Sequence, residues 1–197
     1  MALEYSPALG PLGAAAARGT LGEETASGQE KDALLVRSAR DGDRSAFGRL
    51  YERFAPMVHG LLLARVRPAE VDDLIQDVFL QAMRRLASLR SPEAFGPWLA
   101  AIARNRARDH HRRARDTIEL PTELEGRAAP ETEALAVLAA VRRLPEAYRE
   151  TLVLRLVEGM TGPEIAARTG LTPGSVRVNL HRGVQMLRQL LGEGERR

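Results

Sequence analysis

Two stretches of the chain place apolar residues three and four positions apart, the spacing that gathers them on one face of a helix. In the first, from about Lys31 to Arg115, Leu34, Leu35, Phe47, Leu50, Tyr51, Phe54 and Val58 predict two helices broken near Gly42-Asp43. Pro68 marks a boundary. Val71, Leu74, Ile75, Val78, Phe79 and Leu86 then form a stripe that predicts one long helix. Pro92 marks a loop, after which Phe95, Trp98, Leu99, Ile102 and Ala103 repeat the helical spacing, with the single tryptophan expected in the core. In the second stretch, from about Glu131 to Leu191, Leu135, Leu138 and Val141 predict a helix ending before Pro145. Tyr148, Leu152, Val153, Leu156 and Val157 predict another, ended by Gly159, and two shorter units follow. Strand-like alternation is absent from both stretches. The expected fold is all-α, with two small helical domains, the second a four-helix domain.

The flanking segments lack this period. Met1 to Ser27 is rich in Ala, Gly and Pro, and residues 1–30 are expected to form a disordered arm. Asp116 to Pro130 is polar and acidic, with Pro121, Gly126 and Pro130, and reads as a flexible linker over 116–130. The two domains then span 31–115 and 131–192.

The last two helical units carry their own boundary signals. Thr161 and Glu164 have the spacing of a capping box. Gly170 suits the left-handed residue that closes the helix they open. Thr172 can cap the next helix, with Pro173 in its first turn. Val176, Leu180, Val184, Leu187 and Leu191 supply the expected buried stripe. Helix, glycine turn, helix is a DNA-binding unit whose second helix enters the major groove by its N-terminal end. There Ser175, Arg177, Asn179, His181 and Arg182 lie off the apolar stripe. Arginine can read guanine and asparagine adenine, while Ser175 and the first backbone N–H groups suit a phosphate.

Charge adds a second candidate surface. The net charge is only +3, but Arg104, Arg106, Arg108, Arg112, Arg113 and Arg115 crowd one short segment with His110 and His111. Arg104, Arg108 and Arg112 recur at i+4, Asn105 shares their side, and Asp109 is the only acid between Glu93 and Asp116. A solvated helix face would alternate signs, so this one is read as a polyanion surface. On the preceding helix, Asp72, Asp73, Asp77 and Gln76 surround Leu80. An apolar residue ringed by carboxylates and an amide predicts a protein-docking face. The same acids could hold Mg²⁺, but that needs a second acidic motif and an apolar cavity, and the sequence offers neither.

Other chemistries find little support. The chain has no cysteine, which excludes disulfides, thiolate zinc sites and cysteine nucleophiles. His59, His110, His111 and His181 are scattered or adjacent, so no metal and no cofactor is expected. There is no catalytic triad and no phosphate-binding glycine loop, and no small-molecule substrate is expected. Every apolar run, Gly60 to Ala64 among them, is far short of the roughly 20 residues a bilayer needs, so no membrane insertion is expected. Glu4 stands where a secretion signal would carry positive charge, and a cytoplasmic location is expected.

Taken in order, these segments resemble a known family. Ala39-Arg-Asp-Gly-Asp-Arg-Ser-Ala-Phe47, with Leu50-Tyr51 and Pro56, resembles the opening of the promoter-melting domain, sigma region 2, of extracytoplasmic-function sigma factors. Asp72-Asp-Leu-Ile-Gln-Asp-Val-Phe79 is similar to their core-polymerase-binding helix. Phe95-Gly-Pro-Trp-Leu-Ala-Ala-Ile-Ala-Arg-Asn105, with Asp109 and Arg112-Arg113, is similar to their −10 recognition helix. Leu144-Pro145, Glu164-Ile-Ala166 and Pro173-Gly-Ser-Val176 resemble their −35-binding domain, sigma region 4. A one-component repressor would also use a helix-turn-helix, but it leaves the acidic helix beside an arginine helix unexplained.

The resemblance implies a protein without catalytic residues that binds the two largest subunits of core RNA polymerase and promoter DNA, with an anti-sigma factor as a further partner. It implies core binding through Asp72, Asp73, Gln76, Asp77, Phe79 and Leu80. It assigns the −10 element to Ser91, Arg104, Asn105, Arg108, Arg112 and Arg113, and the −35 element to Thr172, Gly174, Ser175, Arg177, Asn179, His181 and Arg182. Val178, Asn179, Gly183 and Val184 depart from the family's usual Ser, Arg, Ala and Arg, which removes two cations. Met83 stands where tryptophan is common and is expected to be a change within the core.

Overall fold

Helix boundaries follow local hydrogen bonding. The computed structural model describes residues 21–117 and 133–194, and side chains at 28–113 and 137–191. Among the described residues eight α-helices run in the order α1 (Leu21–Arg40), α2 (Arg44–Leu63), α3 (Val71–Arg85), α4 (Phe95–Thr117), α5 (Glu133–Arg142), α6 (Glu146–Leu156), α7 (Gly162–Thr169) and α8 (Pro173–Gly194). Short 3-10 turns at Pro68–Glu70, Leu86–Ser88 and Pro92–Ala94 join the first four. Among the described residues there is no strand, as the periodicity predicts. Asp43 starts α2 by accepting from the Ser45 and Ala46 backbone N–H groups at 2.8 and 3.2 Å. Thr161 and Glu164 form the full capping box of α7, and Gly170 ends it at φ 79°, a left-handed conformation that costs glycine little.

α1 begins at Leu21, so residues 21–30 of the expected arm are helical. Residues 1–20 and most of the expected linker, 118–130, lie outside the described residues. α1 packs through Ala33 and Val36, while Leu34, expected in the buried set, is 59% exposed. α2 is the centre of the first unit, in contact with α1, α3 and α4. Its Leu50, Phe54, Met57, Val58 and Leu61 are buried against Val71 and Val78 of α3 and Phe95, Leu99 and Ala103 of α4. The central aromatic is Phe95, edge-on to Phe54 at 5.0 Å. Trp98 lies beside it at 5.9 Å and is only partly buried.

α6 departs most from its expected pattern. Thr151, Leu152, Val153 and Leu154 are all buried, whereas Leu156 and Val157 are 55% and 47% exposed. The reason is a neighbour on either side: α8 of its own unit and α2 of the first. α8 crosses α6 at Gly183, where a Cβ would lie 2.9 Å from Leu152 Cδ1 and 3.1 Å from Cγ. Leu152 is fully buried, so the alanine common in the resembling family would displace a packed side chain here. Leu191 falls beyond this contact and is exposed.

Candidate polymerase and nucleic-acid interfaces

The acidic helix α3 presents Asp72, Asp73, Gln76 and Leu80 to solvent. Asp72 and Asp73 occupy its first turn, where the helix dipole favours negative charge. Leu80 is 51% and Met83 47% exposed, so Met83 belongs to this surface and not to the core. Two of the expected contact residues serve the fold instead. Phe79 is only 4% exposed, with its ring 4.5 Å from Tyr51 and 6.5 Å from Phe47. Its i+4 spacing from Ile75 puts it on the buried side. Asp77 pairs with Arg106 of α4, which donates Nε–H at 3.1 Å, and so ties α3 to α4.

On α4, Asn105, Arg108, Arg112 and Arg113 are exposed. Arg112 also pairs with Asp109 at 3.1 Å, a contact open enough to be exchanged for phosphate. Arg104, expected on the same surface, is turned away: it donates to Glu150 of α6, with Nε 3.2 Å from Oε2. Ser91 is exposed before α4 and donates to Glu93 at 2.7 Å. Glu93 in turn accepts from Arg37 of α1 at 2.7 Å.

The second helix of the helix-turn-helix exposes Gly174, Ser175, Arg177, His181 and Arg182, and Asn179 is partly buried. Thr172 caps it by accepting from the Ser175 backbone N–H at 3.1 Å, and the two hydroxyls lie 2.9 Å apart. Thr172 therefore sets the helix start, and that N–H is already engaged.

The family model for sigma-70 region 2 matches residues 50–117, and that for sigma-70 region 4 matches residues 134–187. The RNA polymerase sigma factor CarQ of Myxococcus xanthus is 39% identical over 166 residues, which cover 79% of this chain and 95% of CarQ. The chain belongs to the extracytoplasmic-function sigma factors. It is a non-catalytic initiation factor that directs promoter-specific transcription by RNA polymerase. The ECF RNA polymerase sigma factor BldN of Streptomyces coelicolor is 34% identical over 175 residues, covering 82% of this chain and 66% of BldN. The solved structure of CnrH in complex with the cytosolic domain of CnrY aligns with a TM-score of 0.59 at 28% identity, covering 83% of this chain and 98% of CnrH.

In this sigma factor the two units pack directly on each other, α2 against α6 and both α1 and α4 against α7. Glu150 is the centre of that contact. It accepts from Arg65, at 2.7 Å, and from Arg104. Burial alone would raise its pKa, but the Arg104 hydrogen bond and the two guanidinium charges outweigh burial and hold it low. Arg142 of α5 donates to the Leu63 carbonyl at 3.0 Å and also to that of Val66, satisfying the end of α2. Arg168 of α7 lies 5.3 Å over the Phe54 ring and donates to the Arg53 carbonyl. At Gly60 of α2 a Cβ would lie 2.8 Å from Leu154 Cδ2, so the close approach of α2 and α6 needs a glycine there. Sequence reading missed all of these contacts. The one local signal was a set of acids on α6, Glu146 and Glu150, among apolar neighbours.

His59 of α2 completes the interface, with Nδ1 2.6 Å from Glu158 Oε1. The Glu158 hydrogen bond raises the imidazole pKa against the opposing effect of burial, helped by the charges of Glu158 and Asp72. The contribution of His59 is complete below its ordinary value of 6.5 and fades as pH rises through the raised value. That of Glu150 is complete above its ordinary 4.5 and is lost as pH falls through the lowered value. Packing of the two units should therefore be strongest between pH 4.5 and 6.5. A pH titration of the distance between labels on the two units measures this. His59→Gln should abolish the alkaline edge and leave the acid edge in place.

Proposed function

We propose that this sigma factor docks on core polymerase through the α3 face formed by Asp72, Asp73, Gln76, Leu80 and Met83. Asp77 and Phe79 hold that face in place from behind. The −10 element is bound by Ser91, Asn105, Arg108, Arg112 and Arg113, joined by Arg104 once it leaves Glu150. The −35 element is bound by α8 through Gly174, Ser175, Arg177, Asn179, His181 and Arg182, with Thr172 as its cap. An anti-sigma factor is the further protein partner: the similar CnrH was solved with the cytosolic domain of CnrY. The protein acts in the cytoplasm, beside the polymerase. Among the described residues no helix is long and apolar enough to cross a membrane.

The observation that carries the docking assignment is the exposure of Leu80 and Met83 beside Asp72, Asp73 and Gln76. Asp73→Lys combined with Leu80→Asp should weaken association with core polymerase by tenfold or more, since charge reversal with loss of an apolar contact costs several kcal/mol. Both side chains are exposed, so the melting temperature should fall only slightly, reflecting the roughly 0.3–1 kcal/mol lost when a cation replaces Asp73 at the helix N-terminus. Undiminished co-purification with core polymerase would remove the assignment.

A further inference from the structure

Helix α8 turns a valine outward where its neighbours are polar. Val178 is 45% exposed. Successive helical residues are turned by about 100°, so Val176, Leu180, Gly183 and Leu187 share the face packed on the body. Val176, Gly183 and Leu187 are buried there and Leu180 partly so. Val178 lies near the middle of the opposite face. Gly174 precedes it by one turn, Arg182 follows by one turn, and Ser175 and His181 flank it three residues away on either side; all four are exposed. Gly174 leaves the approach to Val178 clear, and nothing in the fold demands that gap. A Cβ at Gly174 would meet only Thr172 Oγ1, at 3.9 Å.

Burial within the chain does not account for an isopropyl group in that place. A β-branched side chain on a helix is held in essentially one χ1 rotamer, so its methyl groups point in a fixed direction. In the major groove thymine presents an apolar group, its C5-methyl, to such a side chain. The serine usual at this position in the family can pair with either strand of any base pair, because a hydroxyl both donates and accepts. Valine can do neither. We infer that Val178 is a specificity-determining residue of the −35 contact, which reads the C5-methyl of one thymine through its γ-methyl groups. This rests on the proposal above that α8 lies in the −35 major groove.

The test uses holoenzyme reconstituted from core polymerase and the full chain. A −35 element is selected from duplexes randomised at that site. Each thymine of the selected element, on either strand, is then replaced by deoxyuridine, which lacks only the methyl group. At one position the wild-type protein should lose about fourfold in affinity, the equivalent of ~0.8 kcal/mol for a methyl-sized apolar contact. Val178→Ser should lose nothing there and should bind the deoxyuridine duplex as well as the thymine one. Identical deoxyuridine profiles for the two proteins, or a selected element without an A·T pair, would overturn the inference. Arg177→Ala on the same duplexes separates the two levels of the argument. If Arg177→Ala weakens binding while the Val178→Ser profile matches wild type, only the valine reading falls. If both variants leave −35 dependence untouched, α8 is not the −35 reader and both readings fall.

Discussion

Replacing Glu150 with alanine should separate the two helical units, weakening their packing by about 3–5 kcal/mol, the cost of removing one partner from a buried ion pair. Glu150 is 6% exposed, and its carboxylate is shared by Arg65 and Arg104, whose side chains are 8% and 24% exposed. Without it two guanidinium groups face each other in a poorly solvated space, and Glu146, at 2.5 Å from Arg65, compensates only one of them. Separation is also what the proposed promoter contacts demand. The −10 and −35 elements are about 25 base pairs apart by their names, ~85 Å of B-form duplex. A compact body of this size has a radius of gyration of only about 16 Å. With α4 on the −10 element and α8 on the −35 element, as proposed above, the two helices cannot reach both while α2 and α6 are packed together. The α3 face proposed for docking is exposed while the units are packed, so on that proposal polymerase can bind before they part. The absence of cysteine makes the measurement direct: a pair of cysteines at exposed Ser88 and Gln189 takes two labels. In Glu150→Ala their separation should lengthen, with helical content retained and promoter-directed transcription by holoenzyme preserved. An unchanged distance would mean that the other contacts hold the units together without Glu150.

Phe95→Ala should be the most damaging substitution in the first unit, at about 3–5 kcal/mol. Phe95 is fully buried and braces Phe54 on one side and Trp98 on the other. The cavity it leaves also loosens Phe54, the ring under Arg168, and so weakens the seat of α7. Trp98→Ala should cost less, because Trp98 is only partly buried. Denaturant melts of the two variants check the order. A larger loss for Trp98→Ala would place the centre of the core elsewhere.

Much of the local structure was legible in the residues themselves. The Thr161–Glu164 box, the Gly170 stop and the proline-led start of α8 all depend on hydrogen bonds and steric limits between residues a few positions apart. The stripe of α3 was legible because that helix buries a single face, which leaves Asp72, Asp73, Gln76 and Leu80 outside. The exposed cations of α4 and α8 follow from the same rule. Even Phe79 could have been set apart from the α3 surface, since Ile75 and Phe79 lie one turn apart on the buried side.

What the chain could not announce in advance is how one helix meets another far along it. The bonds from Glu150 to Arg104 and Arg65 and from Glu158 to His59 join residues 46, 85 and 99 positions apart. Periodicity reports one buried face. It carries no record of a second helix laid on the opposite side, which is why Leu154 is buried and Leu156 is not. Gly183 stood out only as a departure from the family pattern, and Gly60 carried no signal; the reason for both is that α2 and α8 press against α6, where a single Cβ would collide with a packed leucine. The sequence by itself determined the helices, their caps and the polar faces proposed to meet polymerase and DNA, because short-range bonding and the burial of one face decide them. Only the tertiary structure decided that Arg104 faces Glu150 and that the two units close on each other, because those depend on which surfaces desolvate together.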